Sequence, residues 1–153
     1  MTPLSEPPHL AADLRALQLS TIATQWQPLA EAAVRQHQPH AAYLAELVHL
    51  EVIRRRERRI QRRIVEAHFP MLKTLDGFDF TAQPALDRET VLELAQGHFV
   101  AEAANVVLMG GVGTGKTHLA IALGLACCQH DHRVRFLTAA ELTNCVIPLN
   151  TIA

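Results

Sequence analysis

The chain has 153 residues, enough for one domain or two small ones. Apolar residues make up 49% and aromatic residues 5%, so any core must be built from Leu, Val, Ile and Ala. A formal net charge of −1 excludes a whole-molecule field aimed at nucleic acid or membrane, though not a local cluster of charge. Cys127, Cys128 and Cys145 have the spacing of neither a zinc site nor a disulfide framework. They read as small buried apolar residues in a reducing cytosol. The nine histidines are scattered without metal-ligand spacing. Thr2 to Pro8 is polar and proline-rich, unlike a signal peptide. No apolar run reaches the ~18–20 residues of a membrane span, so a cytoplasmic location with no membrane partner is expected.

In chain order, residues 1–8 read as a loose start. From His9 the pattern is helical, with Leu10, Leu14, Leu17 and Thr21 on one face. This helix is expected to reach about Gln27, where Pro28 forces a kink or restart before a second stretch from Leu29 to His37. Pro39 suits the first turn of a long third helix, from about His40 to Ala67, ended by Pro70. Its stripe of Tyr43, Leu47, Leu50, Ile53, Ile60 and Ile64 calls for a helical neighbour. Residues 1–67 therefore read as a helical bundle for contact with DNA or a partner. Residues 68–98 read as a linker. It carries a turn at Asp76-Gly77 and a short helix capped by Asp87 and closed by Gly97.

Residues 99–153 change pattern. Asn105 to Met109 is a short apolar run ending in glycine, as in a central parallel strand. A helix from about Lys116 to Gln129 follows, then a polar turn, His130-Asp131-His132. A second strand is expected over Arg133 to Leu137, and Thr138 to Glu141 has capping-box spacing. Strand, loop, helix, strand, helix is the order of a parallel α/β sheet.

Gly110-Gly111-Val112-Gly113-Thr114-Gly115-Lys116-Thr117 matches G-x-x-x-x-G-K-[ST] at every fixed position. The glycines let successive backbone N–H groups turn toward phosphate oxygens, and the helix dipole adds to that field. Lys116 supplies a mobile cation for the β- and γ-phosphates, and Thr117 a hydroxyl for Mg²⁺. Hydrolysis needs more: a carboxylate at a strand end and a group that orients water. After Thr117 the only acidic residues are Asp131, at a helix end, and Glu141, in the capping box. Neither follows an apolar strand, no arginine finger is evident, and no catalytic residue is assigned. The chain is expected to bind a nucleotide and to cleave it slowly.

Seven of the 14 Lys and Arg residues fall in one short window: Arg54, Arg55, Arg56, Arg58, Arg59, Arg62 and Arg63. At ~100° per residue they spread over the arc opposite Ile53, Ile60 and Ile64. Such a surface suits nucleic-acid phosphates. The competing reading is a solvated helix paired with Glu51, Glu57 and Glu66.

The run Phe99 to Gly110, continuing with Gly115 to Gly124, resembles the IstB-like family of AAA+ ATPases, which help insertion-sequence transposases and are related to DnaC-type helicase loaders. Phe69-Pro70 with Lys73 to Phe80, and Phe136 to Leu142, are similar to the same family. The resemblance covers residues 10–145. It implies an α/β fold in which an N-terminal helical bundle precedes the first part of a P-loop parallel-sheet module. It implies ATP, with Gly110 to Thr117 on its phosphates. It also implies double-stranded DNA bound without sequence preference, a transposase partner and self-assembly. The tail from Val146 to Ala153 departs from the family pattern, and the chain reads as a truncated fragment. Two alternatives stand beside this one: a DnaC-like helicase loader, and a non-enzymatic DNA- or partner-binding regulator.

Overall fold

A computed structural model describes residues 7–146. Contacts divide it into two compact units, one reaching Arg59 and one starting at Ile60. The loose start before residue 7, the unusual tail beyond residue 146 and the side chain of Cys145 lie outside the described residues.

In the first unit, α1 spans Leu10–Ala16 and α2 spans Ser20–Arg35. α3, His40–Glu66, begins here and crosses the division. The break between α1 and α2 corrects the expectation of one helix interrupted at Pro28. α2 passes through Pro28, and the chain instead turns at Gln18, which adopts a left-handed φ of 56°. The N–H of Leu19 closes this turn on the carbonyl of Leu14, a Schellman-type end to α1. Leu19, the N-cap of α2, has no side chain able to cap. Glu51 of α3 does so: its Oε2 accepts from the N–H groups of Thr21 at 2.8 Å and Ile22 at 3.1 Å. Leu14, Ala33 and Leu47 are buried in this unit. The Tyr43 hydroxyl donates to the Trp26 carbonyl at 3.0 Å, tying α3 to α2.

In the second unit, α4 covers Arg88–Ala95, α5 His98–Ala101, α6 Lys116–Gln129 and α7 Ala139–Val146, with a short 3₁₀ turn at Phe80–Ala82. The caps read from sequence are present. Asp87 accepts from the N–H groups of Glu89 and Thr90, and Gly97 follows α4 at φ 78°. Thr138 and Glu141 exchange their bonds, 2.7 Å from the Thr138 N–H to Oε2 and 3.3 Å from the Glu141 N–H to Oγ1. α6 is the central element, with seven buried residues from Leu119 to Cys128. Val91 and Ala95 of α4 meet Leu119 and Leu123, and Leu75, Phe78, Phe80 and Leu86 pack around them.

The expected parallel sheet is not formed among the described residues. Residues 105–109 and 133–137 belong to neither a strand nor a helix. Both lie on α6, and Val106, Leu108, Val134 and Arg135 line one cavity of about 400 Å³ floored by Leu123, Gly124 and Cys127. A ladder requires backbones ~4.8 Å apart; here side chains of both runs line a common cavity instead. The second run is instead fixed to the end of α3, where the Phe136 N–H donates to the Ala67 carbonyl at 2.8 Å. Phe136 and Phe69 pack with ring centroids 6.3 Å apart.

Candidate nucleotide site

The loop from Gly110 to Thr117 joins the run 105–109 to α6. Its backbone explains its glycines. Gly113 has φ 79° and Gly115 has φ 82°, a left-handed conformation that costs other residues about 1–2 kcal/mol. Gly115 is also the N-cap of α6. The first bond of the helix runs from the Leu119 N–H to the Gly115 carbonyl, so the N–H groups of Lys116, Thr117 and His118 have no helical acceptor. These donors, with the positive end of the helix dipole, form a surface fit for anionic oxygens.

Lys116 folds back over the loop. Its Nζ donates to the carbonyls of Gly110, at 3.0 Å, and Gly111, and lies 3.4 Å from Thr114 Oγ1. Thr114 in turn donates to the Gly111 carbonyl at 2.9 Å. The ammonium is thus at the loop's mouth on a flexible stem, able to exchange neutral carbonyls for charged oxygens. Thr117 is exposed on the first turn, and Val112 at the loop tip is fully exposed. A cavity of about 370 Å³ opens beside the loop, lined by Gln83 and Leu86 together with Met109, Gly110, Thr114 and Lys116.

The loop is buttressed by residues that motif reading did not single out. The Phe78 ring lies against Gly115 so closely that a Cβ there would be 2.6 Å from Phe78 Cε2. The His118 ring meets Phe78 edge-on, centroids 5.3 Å apart, and its Nε2 donates to the Thr74 carbonyl at 2.9 Å. Phe80 packs on Phe78 at 4.9 Å, with the Arg88 guanidinium 5.8 Å over its ring. The signal available in sequence was the Phe78-x-Phe80 pair, in a chain with five phenylalanines in all.

Both acidic residues beyond the loop have other work. Asp131 accepts from Arg63 at 2.6 Å. Glu141 is the capping-box carboxylate, held below the usual carboxylate range by the N–H and hydroxyl of Thr138, with Arg135 adding to the effect.

The arginine cluster separates into groups. Arg55 and Arg58 turn to Glu51, at 3.3 and 3.5 Å. Arg55 also reaches the Gln18 carbonyl, and Arg58 the hydroxyls of Ser20 and Thr21. Glu51 is 4% exposed. Burial raises its pKa, but the N–H groups of Ile22 and Thr21, the Thr21 hydroxyl and Arg55 outweigh burial and leave it below the usual range. Arg63 is held by Asp131, and Arg54 pairs with Glu57 at 3.0 Å on the exposed surface. Arg56 and Arg62 are exposed. Three of the seven candidates, Arg55, Arg58 and Arg63, therefore serve the fold.

The chain matches the family described as IstB-like ATP binding protein over residues 12–147. It belongs to that family. An insertion-sequence ATP-binding protein of Sinorhizobium fredii (strain NBRC 101917 / NGR234) is 41% identical over 135 residues, which are 88% of this chain and 45% of the relative. The ATP-binding protein named for insertion sequence IS21 in Pseudomonas aeruginosa is 39% identical over 129 residues, 84% of this chain and 49% of the relative. Its counterpart in IS5376 of Geobacillus stearothermophilus is 35% identical over 128 residues, 84% and 51% respectively. The chain spans about half the length of these curated relatives. An IstB-like chain is thus expected to be a nucleotide binder, in agreement with the loop. Among the described residues, no helix is long and apolar enough to cross a membrane.

Proposed function

We propose that this chain is an ATP-binding helper of insertion-sequence DNA transposition, working in the cytoplasm through a P-loop module of the AAA+ type. The observation that carries this is the start of α6. N–H groups without a helical acceptor, a left-handed glycine cap and the Lys116 ammonium converge on one loop, in a chain whose relatives are named for ATP binding and insertion sequences. Gly110, Gly111, Val112, Gly113, Thr114 and Gly115 cradle the phosphates by backbone, Lys116 neutralises them, and the Thr117 hydroxyl is the ligand this chain offers Mg²⁺. The metal would draw charge from the phosphate oxygens; the chain's own residues bind and orient them. Hydrolysis by this chain is slow, because Asp131 and Glu141 are committed to Arg63 and to the α7 cap.

The helical unit meets DNA and partner proteins. Support for the first comes from Arg54 and Arg56, exposed on α3. Support for the second comes from Leu44, Val48 and Val52, which sit at helical spacing on α3 with exposures of 58, 46 and 59%. The transposase of the same element, and further copies of this chain, are the partners that fit this role.

The test is calorimetric titration of the full chain with Mg-ATP. The expected result is saturable binding that is lost in Lys116→Ala. Absence of binding by the parent chain would overturn the nucleotide reading, and steady turnover abolished by Lys116→Ala would overturn slow hydrolysis.

A further inference from the structure

Thr74 to Phe80 crosses the beginning of α6 as a strap, and its contacts concentrate at one point. The Phe78 ring closes on Gly115, the residue that caps α6 and ends the glycine loop. His118, one helical step inside α6, grips the other side of the attachment: its ring is edge-on to Phe78 and its Nε2 donates to the Thr74 carbonyl. Phe80 and Arg88 back the ring from behind. Thr74 and Phe78 are thereby stapled to a turn some 40 residues further along the chain, whose N–H groups face the phosphate site.

From this geometry we infer that Phe78 and His118 are positioning residues for nucleotide binding, acting through Gly115 and the first turn of α6. The inference rests on the nucleotide reading above. Its physical basis is the left-handed Gly115. A glycine N-cap is conformationally loose, and the loop's donors converge only while that φ is held. An aromatic ring packed 2.6 Å from where a Cβ would stand restricts Gly115 to the conformation seen. The ordering cost of the loop is then met when the chain folds, before a nucleotide arrives. The coupling is reciprocal: a nucleotide that fixes the loop must also tighten the strap.

The experiment compares Mg-ATP affinity in the full chain and in Phe78→Ala, His118→Ala and His118→Gln, with far-UV circular dichroism on each. His118→Gln keeps a side-chain N–H for the Thr74 carbonyl. The expected result is a loss of affinity of tenfold or more in Phe78→Ala and His118→Ala, partial recovery in His118→Gln, and unchanged helix content. Unchanged affinity in both alanine variants, while the parent binds and Lys116→Ala does not, overturns the inference and leaves the nucleotide reading intact. Failure of the parent to bind overturns the nucleotide reading instead. Should the alanine variants not fold, amide exchange in the parent chain decides. Slower exchange over residues 74–80 on adding Mg-ATP supports the coupling, and no change there overturns it.

Discussion

Glu51 and Arg58 stand two turns apart on α3, and both side chains close on the first turn of α2, the carboxylate on its backbone N–H groups and the guanidinium on its hydroxyls. Their own separation is 3.5 Å. A buried carboxylate from one helix thus caps another, and two arginines neutralise it. Glu51→Ala would strand the N–H groups of Thr21 and Ile22 and leave Arg55 and Arg58 without their shared carboxylate. We expect a loss of about 1–3 kcal/mol in urea unfolding of the full chain.

The same carboxylate gives a pH dependence. The folded pKa of Glu51 lies below the unfolded value of about 4.3. Its contribution is therefore complete above that value and is lost as pH falls through the folded pKa. Asp79, Asp87 and Glu141 are lowered too, by hydrogen bonds at their turns and caps, and act in the same direction. The parent chain should lose stability below about pH 4.3, and Glu51→Gln should lose less over the same interval. Equal acid dependence of the two would show that Glu51 does not contribute.

Arginine replacements should divide by partner. Neutralising Arg56 or Arg62 to Gln should leave thermal unfolding unchanged and flatten the salt dependence of duplex DNA binding by ~0.9 per lost phosphate contact. Arg58→Gln should lower the unfolding temperature, because it breaks the bonds to Ser20, Thr21 and Glu51. Fluorescence anisotropy at several salt concentrations, with melting curves, distinguishes the two classes.

Two glycines of the loop make a controlled pair. An added Cβ at Gly113 meets nothing within 4 Å, whereas at Gly115 it meets the Phe78 ring at 2.6 Å. Both have positive φ. Gly113→Ala should cost about 1–2 kcal/mol of backbone strain. Gly115→Ala should cost measurably more in the same denaturation assay, because ring displacement is added to the strain.

Cys127 and Cys128 are 4% and 0% exposed, and both are free thiols. Burial pushes both pKa values up; for Cys128 the neighbouring Cys127 adds to this and Arg63 opposes it. A thiol-specific chromogenic reagent should label them slowly in the native chain and rapidly in denaturant. Fast native labelling of either would contradict the packing of α6.

What was legible in the sequence was local. The caps at Asp87, Gly97 and Thr138, the start of α6 at Lys116 and the glycine loop each depend on residues within a few positions, and each reads directly. The break at Gln18 was not legible, because the group that makes it tenable is Glu51, some 30 residues away. Pro28 gave a stronger local signal and the wrong place. The runs 105–109 and 133–137 have strand composition, but a ladder depends on where a second backbone lies, and composition is silent on that. For the arginines, sequence showed the charge and not its acceptors. At the phosphate loop it showed the glycine and not the ring that holds it.

The non-helical run 133–137 also decides how the chain meets a protease. Arg133 and Arg135 are exposed there, on backbone outside any helix, and a backbone hydrogen bond holds the run at Phe136. Every arginine of the cluster is helical, and a helix must unwind before it fits a protease cleft. Brief trypsin treatment should cut first after Arg133 or Arg135. It should separate α7 from α6 and the phosphate loop.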